Sequence, residues 1–350
     1  MAKSAAKRGF KIQSTTIPTV SAVVIFVLMI LAGQMLFGTY LRLGTISDLF
    51  IDHAYLIILA VAMTFPVLTG GIDLSVGSIV ALSGIVGVQL LGAGIPWPVA
   101  VVAMLAVGAV SGLIAATLIE EFNMQPFIAT LSTMFLCRGI ASIITTESIS
   151  MPEGNSLAFL ATKFTIIDNP KISNDLAFTP GVLIALAVVL FAFVVLHRTR
   201  HGRTVYAIGG SKSSAELMGL PVKRTQYMIY VISGTLAAVA GLVYCAKTGM
   251  AKSTIGTGWE LDAVASVVIG GTLISGGHGF VLGSVVGALV RSLLDPLTTD
   301  FGVPAEAVTI VVGVMILAFV VLQRVVSLVS EKRKKDGDEE PAASPKPQLE

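Results

Sequence analysis

Ten separate stretches of this chain are each apolar over about the length a helix needs to cross a bilayer, roughly 20 residues. They run approximately from 18 to 38, 49 to 69, 73 to 92, 96 to 120, 125 to 146, 179 to 197, 226 to 247, 261 to 275, 279 to 295 and 303 to 323. Hydrocarbon offers no partner to a backbone N–H or C=O, so such stretches must be helices that close their hydrogen bonds internally. The expected fold class is all-α, a polytopic integral membrane helical bundle of about ten transmembrane helices. Composition agrees, with 54% hydrophobic residues, 13% charged residues and a mean hydropathy of +0.87. The eighth and ninth stretches are short and carry paired glycines at Gly270-Gly271 and Gly276-Gly277, which predicts tilted, broken or re-entrant segments. A basic start (Lys3, Lys7, Arg8, Lys11) leads into the first stretch without a small-residue cleavage site, so a retained first helix is expected.

Lys and Arg collect on the cytoplasmic side of membrane proteins, which tests the alternation of spans independently. The four N-terminal bases, six in the loop from His197 to Arg224 (Arg198, Arg200, Arg203, Lys212, Lys223, Arg224) and the five that first follow the last stretch (Arg324, Lys332, Arg333, Lys334, Lys335) fall on one face. The opposite face holds Arg42, Lys163, Lys171, Lys247 and Lys252 among acidic residues. Fifteen against five predicts both termini in the cytoplasm. The link between the fourth and fifth stretches is the exception, carrying Glu120 and Glu121 and no base. The expected organisation is a cytoplasmic N-terminus (1–17), a transmembrane domain (18–325) with an outer loop (147–178) and a cytoplasmic loop (197–225), and a mostly disordered cytoplasmic tail (326–350).

One short run departs from the apolar pattern most sharply: Gly70-Gly71-Ile72-Asp73-Leu74-Ser75-Val76-Gly77-Ser78. A carboxylate there costs free energy unless backbone and side chain find partners. Two readings stand, and both can hold. Gly70 and Gly71 end one helix while Asp73 or Ser75 caps the next, or the run lines or gates a pathway. Pro66, just upstream, is expected to kink the second helix. In the cytoplasmic loop, Ser213 and Glu216 have the spacing of a capping box, and Gly219 and Pro221 end the short helix that follows. That helix shows Leu217 and Met218, apolar residues that ask for a partner surface.

Other embedded polar residues are few. Arg138 lies mid-stretch and is expected to form a structural ion pair or to engage backbone carbonyls, with a pathway role as the rival. Arg291, Asp262 and Asp295 lie near stretch ends. No stretch carries a relay of Asp, Glu or His, which argues against an ion-coupled secondary transporter. His278 reads as a turn residue. Cys137 and Cys245 read as packing residues rather than a disulfide. The chain has no Gly-Lys dipeptide and hence no Walker A loop, no metal-ligand spacing and no nucleophile elbow, so no catalysis, cofactor or metal is expected, and the basic clusters require no nucleic acid. Small-residue spacings such as Gly108-x-x-x-Gly112 and Gly283-x-x-x-Gly287 predict close helix packing. No internal repeat is legible.

Ala62-Met63-Thr64, the run Thr69 to Ser78, Pro126-Phe127-Ile128-Ala129-Thr130-Leu131, His197 to Arg203, Tyr206-Ala207-Ile208-Gly209-Gly210 and Glu260 to Thr272 together resemble the permease subunits of bacterial ribose-type monosaccharide ABC importers. The resemblance covers about residues 50 to 325. Within that group it is nearest to galactofuranose permeases, through Glu147-Ser148-Ile149 and the run Leu196 to Leu220. The first forty residues, Pro66 and the tail after Glu331 depart from the pattern. The resemblance implies a multi-pass protein of the bacterial inner (plasma) membrane, a cytoplasmic ABC ATPase, a periplasmic sugar-binding protein, and a second permease chain, identical or paralogous, within membrane lipid. It implies that Ser213, Glu216, Leu217, Met218 and Gly219 couple to the ATPase, and that translocation or gating draws on Asp73, Ser75, Gly70, Gly71 and Arg138. The implied cargo is galactofuranose or a related hexose or pentose. An amino-acid or nucleoside cargo is the alternative within the wider group.

Overall fold

The computed structural model describes residues 17–152, 154, 156–167, 175–302, 304, 307, 309–318, 321 and 325. The bases before Ile17, Lys171, and the tail from 326 lie outside the described residues. The helices are α1 (Ile17–Phe37), α2 (Leu43–Leu68), α3 (Val76–Gly92), α4 (Trp97–Glu120), α5 (Pro126–Ile144), α6 (Pro180–Arg198), α7 (Arg200–Gly210), α8 (Lys212–Leu217), α9 (Val222–Thr248), α10 (Trp259–Ile269), α11 (Val281–Asp300) and α12 (Thr309–Ala318). Seven of them, α1, α2, α4, α5, α6, α9 and α11, are long and apolar enough to cross a membrane. Among the stretches read as spans, α3, α10 and α12 are shorter.

Local chemistry sets the boundaries. Pro126 and Pro180 open α5 and α6, where a missing N–H costs nothing. Pro66 stands in the last turn of α2, and the chain leaves the helix three residues later, with the amides of Thr69 and Gly71 both turning back to the Pro66 carbonyl. Gly249 closes α9 at φ +69°.

Helices α2 and α9 form the centre and run antiparallel. Lys247 at the end of α9 pairs with Asp52 near the start of α2 at 2.8 Å, whereas Tyr230, early in α9, lies against the residues that follow α2. Helix α3 runs along α9, and α4 crosses back over it. Helix α10 runs along α2, and α11 crosses back over that, with Thr64 of α2 donating to Ser284 of α11 at 2.8 Å. The contacts of α2-α3-α4 are thus repeated by α9-α10-α11 with the direction reversed, an inverted repeat that no residue pattern displayed.

Lipid is as apolar as leucine, so close packing rather than water exclusion holds such helices together. Glycine supplies it. A Cβ built on Gly112 of α4 would lie 2.1 Å from the Tyr230 carbonyl oxygen, and one on Gly287 of α11 would lie 1.8 Å from that of Ser266 in α10. Both expected small-residue spacings lie at helix crossings inside the chain.

The segment carrying α7 and α8 marks one face of the bundle. Glu120 and Glu121, the exception in the charge pattern, lie on this face beside bases from that segment and from the start of α9: Lys212 to Glu120 at 3.0 Å and Lys223 to Glu121 at 2.8 Å. The opposite face carries the pairs Lys163–Asp48 and Lys247–Asp52. Its described loops form two antiparallel pairs, β1 (Ile149–Ser150) with β4 (Met250–Ala251) and β2 (Phe164–Ile167) with β3 (Leu176–Phe178), beside a 3-10 turn at Ser156–Ala161.

Gly112→Val should destabilise the protein by about 1–3 kcal/mol, the usual cost of forcing side-chain volume into a packed contact. Gly92→Ala, where the new Cβ meets open space, should be near neutral. Thermal unfolding of the two variants in detergent checks the difference.

Candidate functional site

Between α2 and α3 the backbone is not helical, and its polar groups are met by named partners. Gly70 adopts φ +79°. Asp73 is wholly buried; its Oδ1 accepts from the Ser75 amide at 3.0 Å and the Ser75 hydroxyl at 2.5 Å, and its Oδ2 accepts from the Ser233 hydroxyl at 2.7 Å. Asp73 therefore caps the start of α3 and ties it to α9. Ser75 directly precedes α3, but its backbone is already helical at φ −78° and ψ −14°, and its hydroxyl serves Asp73. The Ile72 carbonyl accepts from Thr130 Oγ1 of α5 at 3.0 Å. Gly71 packs so closely on the Tyr230 hydroxyl that a Cβ there would lie 2.5 Å away, and that hydroxyl is buried without a partner among the described residues.

A second non-helical segment, residues 249–258, links α9 to α10 and turns back into the bundle. Arg138 holds it, with Nη1 donating to the Ser253 and Ile255 carbonyls at 2.5 and 2.6 Å. Among the described residues no carboxylate is within ion-pair distance of Arg138, so carbonyl partners replace the expected ion pair. The two broken segments meet where Gly256 crosses Gly77, each with its missing Cβ within 2.3 Å of the other's carbonyl oxygen. Sequence reading missed Ser233, Tyr230 and Gly256, whose types are ordinary until a distant segment arrives against them.

Arg291 bonds Asp262 through Nε at 2.7 Å and Nη2 at 3.2 Å, and Asp295 through Nη1 at 2.8 Å. His53 Nε2 approaches Asp295 at 3.5 Å. This cluster joins α2, α10 and α11. His278 takes the turn role expected of it, its carbonyl accepting from the Leu273 amide, and both cysteines are free and buried.

Helix α8 projects from the other end of the bundle. Its N-cap is Ser211, whose Oγ accepts from the Ser214 amide at 3.2 Å, so the box expected at Ser213 and Glu216 does not form. Three serines compete between 211 and 214, and Ser211 alone has the extended backbone of a cap, at φ −165° and ψ 111°. Gly219 at φ +73° ends the helix as expected, with the Leu220 amide reaching back to the Ala215 carbonyl at 3.1 Å. Ala215 packs on Ile208 and Val222, leaving Leu217 90% and Met218 67% exposed. Flanking them are a cleft of about 560 Å³ lined by Arg200, His201, Arg203 and Arg224, and one of about 790 Å³ lined by Glu120, Glu216, Lys223 and Tyr227. Burial, reinforced by Arg224, holds the His201 imidazole below its ordinary pKa.

Helix α7 connects this projection to the broken segments. A Cβ on Gly209 would lie 2.0 Å from the Leu68 carbonyl oxygen and 2.3 Å from the Gly277 amide, two groups already bonded to each other at 2.9 Å. Tyr206 donates to the Gly279 carbonyl at 2.9 Å.

Comparison with known proteins identifies the class. Residues 45–320 match the family described as branched-chain amino acid transport system / permease component. The chain is 68% identical over 330 residues to the fructose import permease protein FruG of Bifidobacterium longum, covering 94% of this chain and 97% of that one. It is 37% identical to the inner membrane ABC transporter permease protein YjfF of Escherichia coli, covering 91% and 95%. With the ribose import permease protein RbsC of Escherichia coli it shares 38% identity over 76% of this chain and 81% of the relative. The chain belongs to this ABC permease family, in its ribose-type branch. It is the permease component of a sugar ABC importer in the bacterial inner membrane, a transport subunit and not an enzyme. The family implies an ATPase and a substrate-binding protein as partners.

Hydrogen bonds from Lys223 and Tyr227 hold Glu121 below the usual carboxylate range. A depressed carboxylate stabilises the fold above its unfolded pKa, and this brace is lost only as pH falls through the lowered value. At pH 7, Glu121→Gln should therefore speed amide exchange at the start of α9 while leaving α2 unchanged. Hydrogen-exchange mass spectrometry of the two segments decides it.

Proposed function

We propose that the chain carries a neutral hexose inward through a pathway shared with a second permease chain, with ten spans and the α7-α8 face in the cytoplasm. The domain boundaries would then be a cytoplasmic 1–17, a permease domain 18–325 and a cytoplasmic tail 326–350. The observation that carries the reading is α8, a short, doubly capped helix whose Leu217 and Met218 stand in solvent on the basic face. An apolar pair on so small a rigid element suits a cleft in the ATPase, with Ser213, Glu216 and Gly219 bordering the contact.

The mechanism follows from what α8 is attached to. Closure of two ATPases would displace α8 and α7 together. Gly209 lies against both the end of α2 and the turn before α11, so the displacement reaches the broken segment at Gly70-Gly71 without a compliant side chain between. In this reading Asp73 is a positioning residue: it keeps the start of α3 locked to Ser233, so that α3 and α9 move as one body. Nucleotide shifts the population between outward and inward states by binding them unequally.

For the cargo, the high identity to a fructose import permease supports fructose. The narrower likeness to galactofuranose permeases is compatible with it, because fructose and galactofuranose are both hexoses that adopt a five-membered ring. The embedded charges of the described helices are engaged with one another, with hydroxyls or with backbone, which favours an uncharged solute over an amino acid and offers no relay for an ion-coupled carrier.

The test is purification from native membrane in mild detergent, mass spectrometry of what stays bound, and ATP-dependent uptake after reconstitution with the binding protein. A P-loop ATPase and labelled fructose uptake are expected, with competition by other hexoses ranking galactofuranose. Uptake that needs an ion gradient and no ATPase would overturn the reading.

Leu217→Asp should lower ATPase recovery by about thirtyfold, the loss of a docked apolar anchor worth about 2 kcal/mol, with unchanged thermal stability of the isolated permease. Asp73→Asn keeps one acceptor oxygen and should leave assembly near normal while lowering uptake severalfold; equal uptake by mutant and parent would remove Asp73 from the mechanism.

A further inference from the structure

The segment between α9 and α10 has features that helix packing does not explain. It leaves α9 at Gly249 and returns to the level of Gly77, which follows shortly after Asp73. Asp73 bonds Ser233, the twelfth of the 27 residues of α9, and Arg138, which clamps the segment, is the thirteenth of the 19 residues of α5. Residues 253–256 therefore lie deep inside the bundle rather than at its surface loops.

At that depth the segment exposes Thr254 and Thr257. Thr257 Oγ1 donates to the Thr254 carbonyl at 2.8 Å. Among the described residues, Thr254 itself donates no hydrogen bond from either amide or hydroxyl, and Oε2 of nearby Glu260 is buried without a partner. Irregular backbone at membrane depth persists only where protein buries it or water reaches it, since each orphan group in hydrocarbon costs several kcal/mol. Its own chain buries Ser253 and Gly256 but leaves Thr254 and Thr257 exposed. Its outward side is polar, whereas the exposed side of α6 presents Leu186 and Leu190, as a lipid face should.

We infer that the exposed side of residues 253–257 lines the aqueous path of the sugar, and that Arg138 is a positioning residue which fixes it there. The inference rests on the permease reading above and adds to it the surface the cargo passes. The ligand class is a neutral polyol. Thr254 offers a free amide and hydroxyl, and Thr257 a hydroxyl oxygen able to accept, which suits brief hydrogen bonds to sugar hydroxyls that release as readily as they form. Arg138 directs Nη1 to the Ser253 and Ile255 carbonyls, so it acts on the loop backbone rather than on the sugar.

The experiment uses the complete importer in membranes with Thr254→Cys or Thr257→Cys, a membrane-impermeant thiosulfonate, and Leu190→Cys of α6 as the lipid-facing control. The parent, whose two cysteines are buried, gives the background. Thiolates form in water and not in hydrocarbon, so both threonine sites should label at least about tenfold faster than Leu190→Cys, and labelling should inhibit uptake. Arg138→Lys, which loses the paired carbonyl contacts, should change the labelling rate at Thr254→Cys. Rates as slow as at Leu190→Cys, or full uptake after complete labelling, would overturn the inference. Where a variant lacks uptake from the start, its labelling rate alone decides. Failure of the unmodified importer to move any hexose would strike the permease reading instead and leave the labelling comparison standing.

Discussion

Everything in this bundle answers to one constraint: a backbone that stops being helical inside hydrocarbon must find a partner for each exposed N–H and C=O. Among the described residues, the breaks after α2 and after α9 each have their own polar clamp. Asp73 with Ser75 and Ser233 fastens the first, and Arg138 with two carbonyls fastens the second. One clamp is a carboxyl group accepting hydrogen bonds and the other a guanidinium donating them. Each stands on the unit that needs it, or reaches from the neighbouring helix across a short gap. The inverted repeat places the breaks against each other at Gly77 and Gly256, so neither can shift without the other's backbone giving way.

Much of this was legible where a residue type contradicted its surroundings. A carboxylate after two glycines in an apolar run declared a break, and the structure has one there. A run of serines followed by Gly219 and Pro221 declared a short capped helix, although the cap fell on Ser211 because backbone angle, not residue type, chooses among neighbouring serines. Glu120 and Glu121 looked anomalous only while their partners, Lys212 and Lys223, were far away in sequence.

The illegible part shares a physical cause. The inverted repeat rests on glycine contacts and backbone direction, which leave no matching side chains to compare. Arg138 could be read as needing partners, but carbonyls carry no residue identity, so the sequence offered a carboxylate as readily. Ser233 and Gly256 became informative only once the fold brought Asp73 and Gly77 to them. A site built from backbone is hidden from residue patterns, even where its one charged clamp is visible.

The same economy bears on how force crosses the molecule. Packed interiors have low compressibility and transmit strain, and backbone in van der Waals contact with backbone does so with no side chain in between. From α8 to the first break the chain places Gly209 directly on Leu68 and Gly277, and from the first break to the second it places Gly77 on Gly256. Glycine at these points is required less for flexibility than for contact without an intervening side chain. On the proposed reading, a push at α8 thus meets stiff junctions at both crossings, while the bonds of Asp73 to Ser75 and Ser233 keep α3 and α9 together. On that reading, these stiff junctions carry the displacement of α8 to both breaks with no rotamer in between to absorb it.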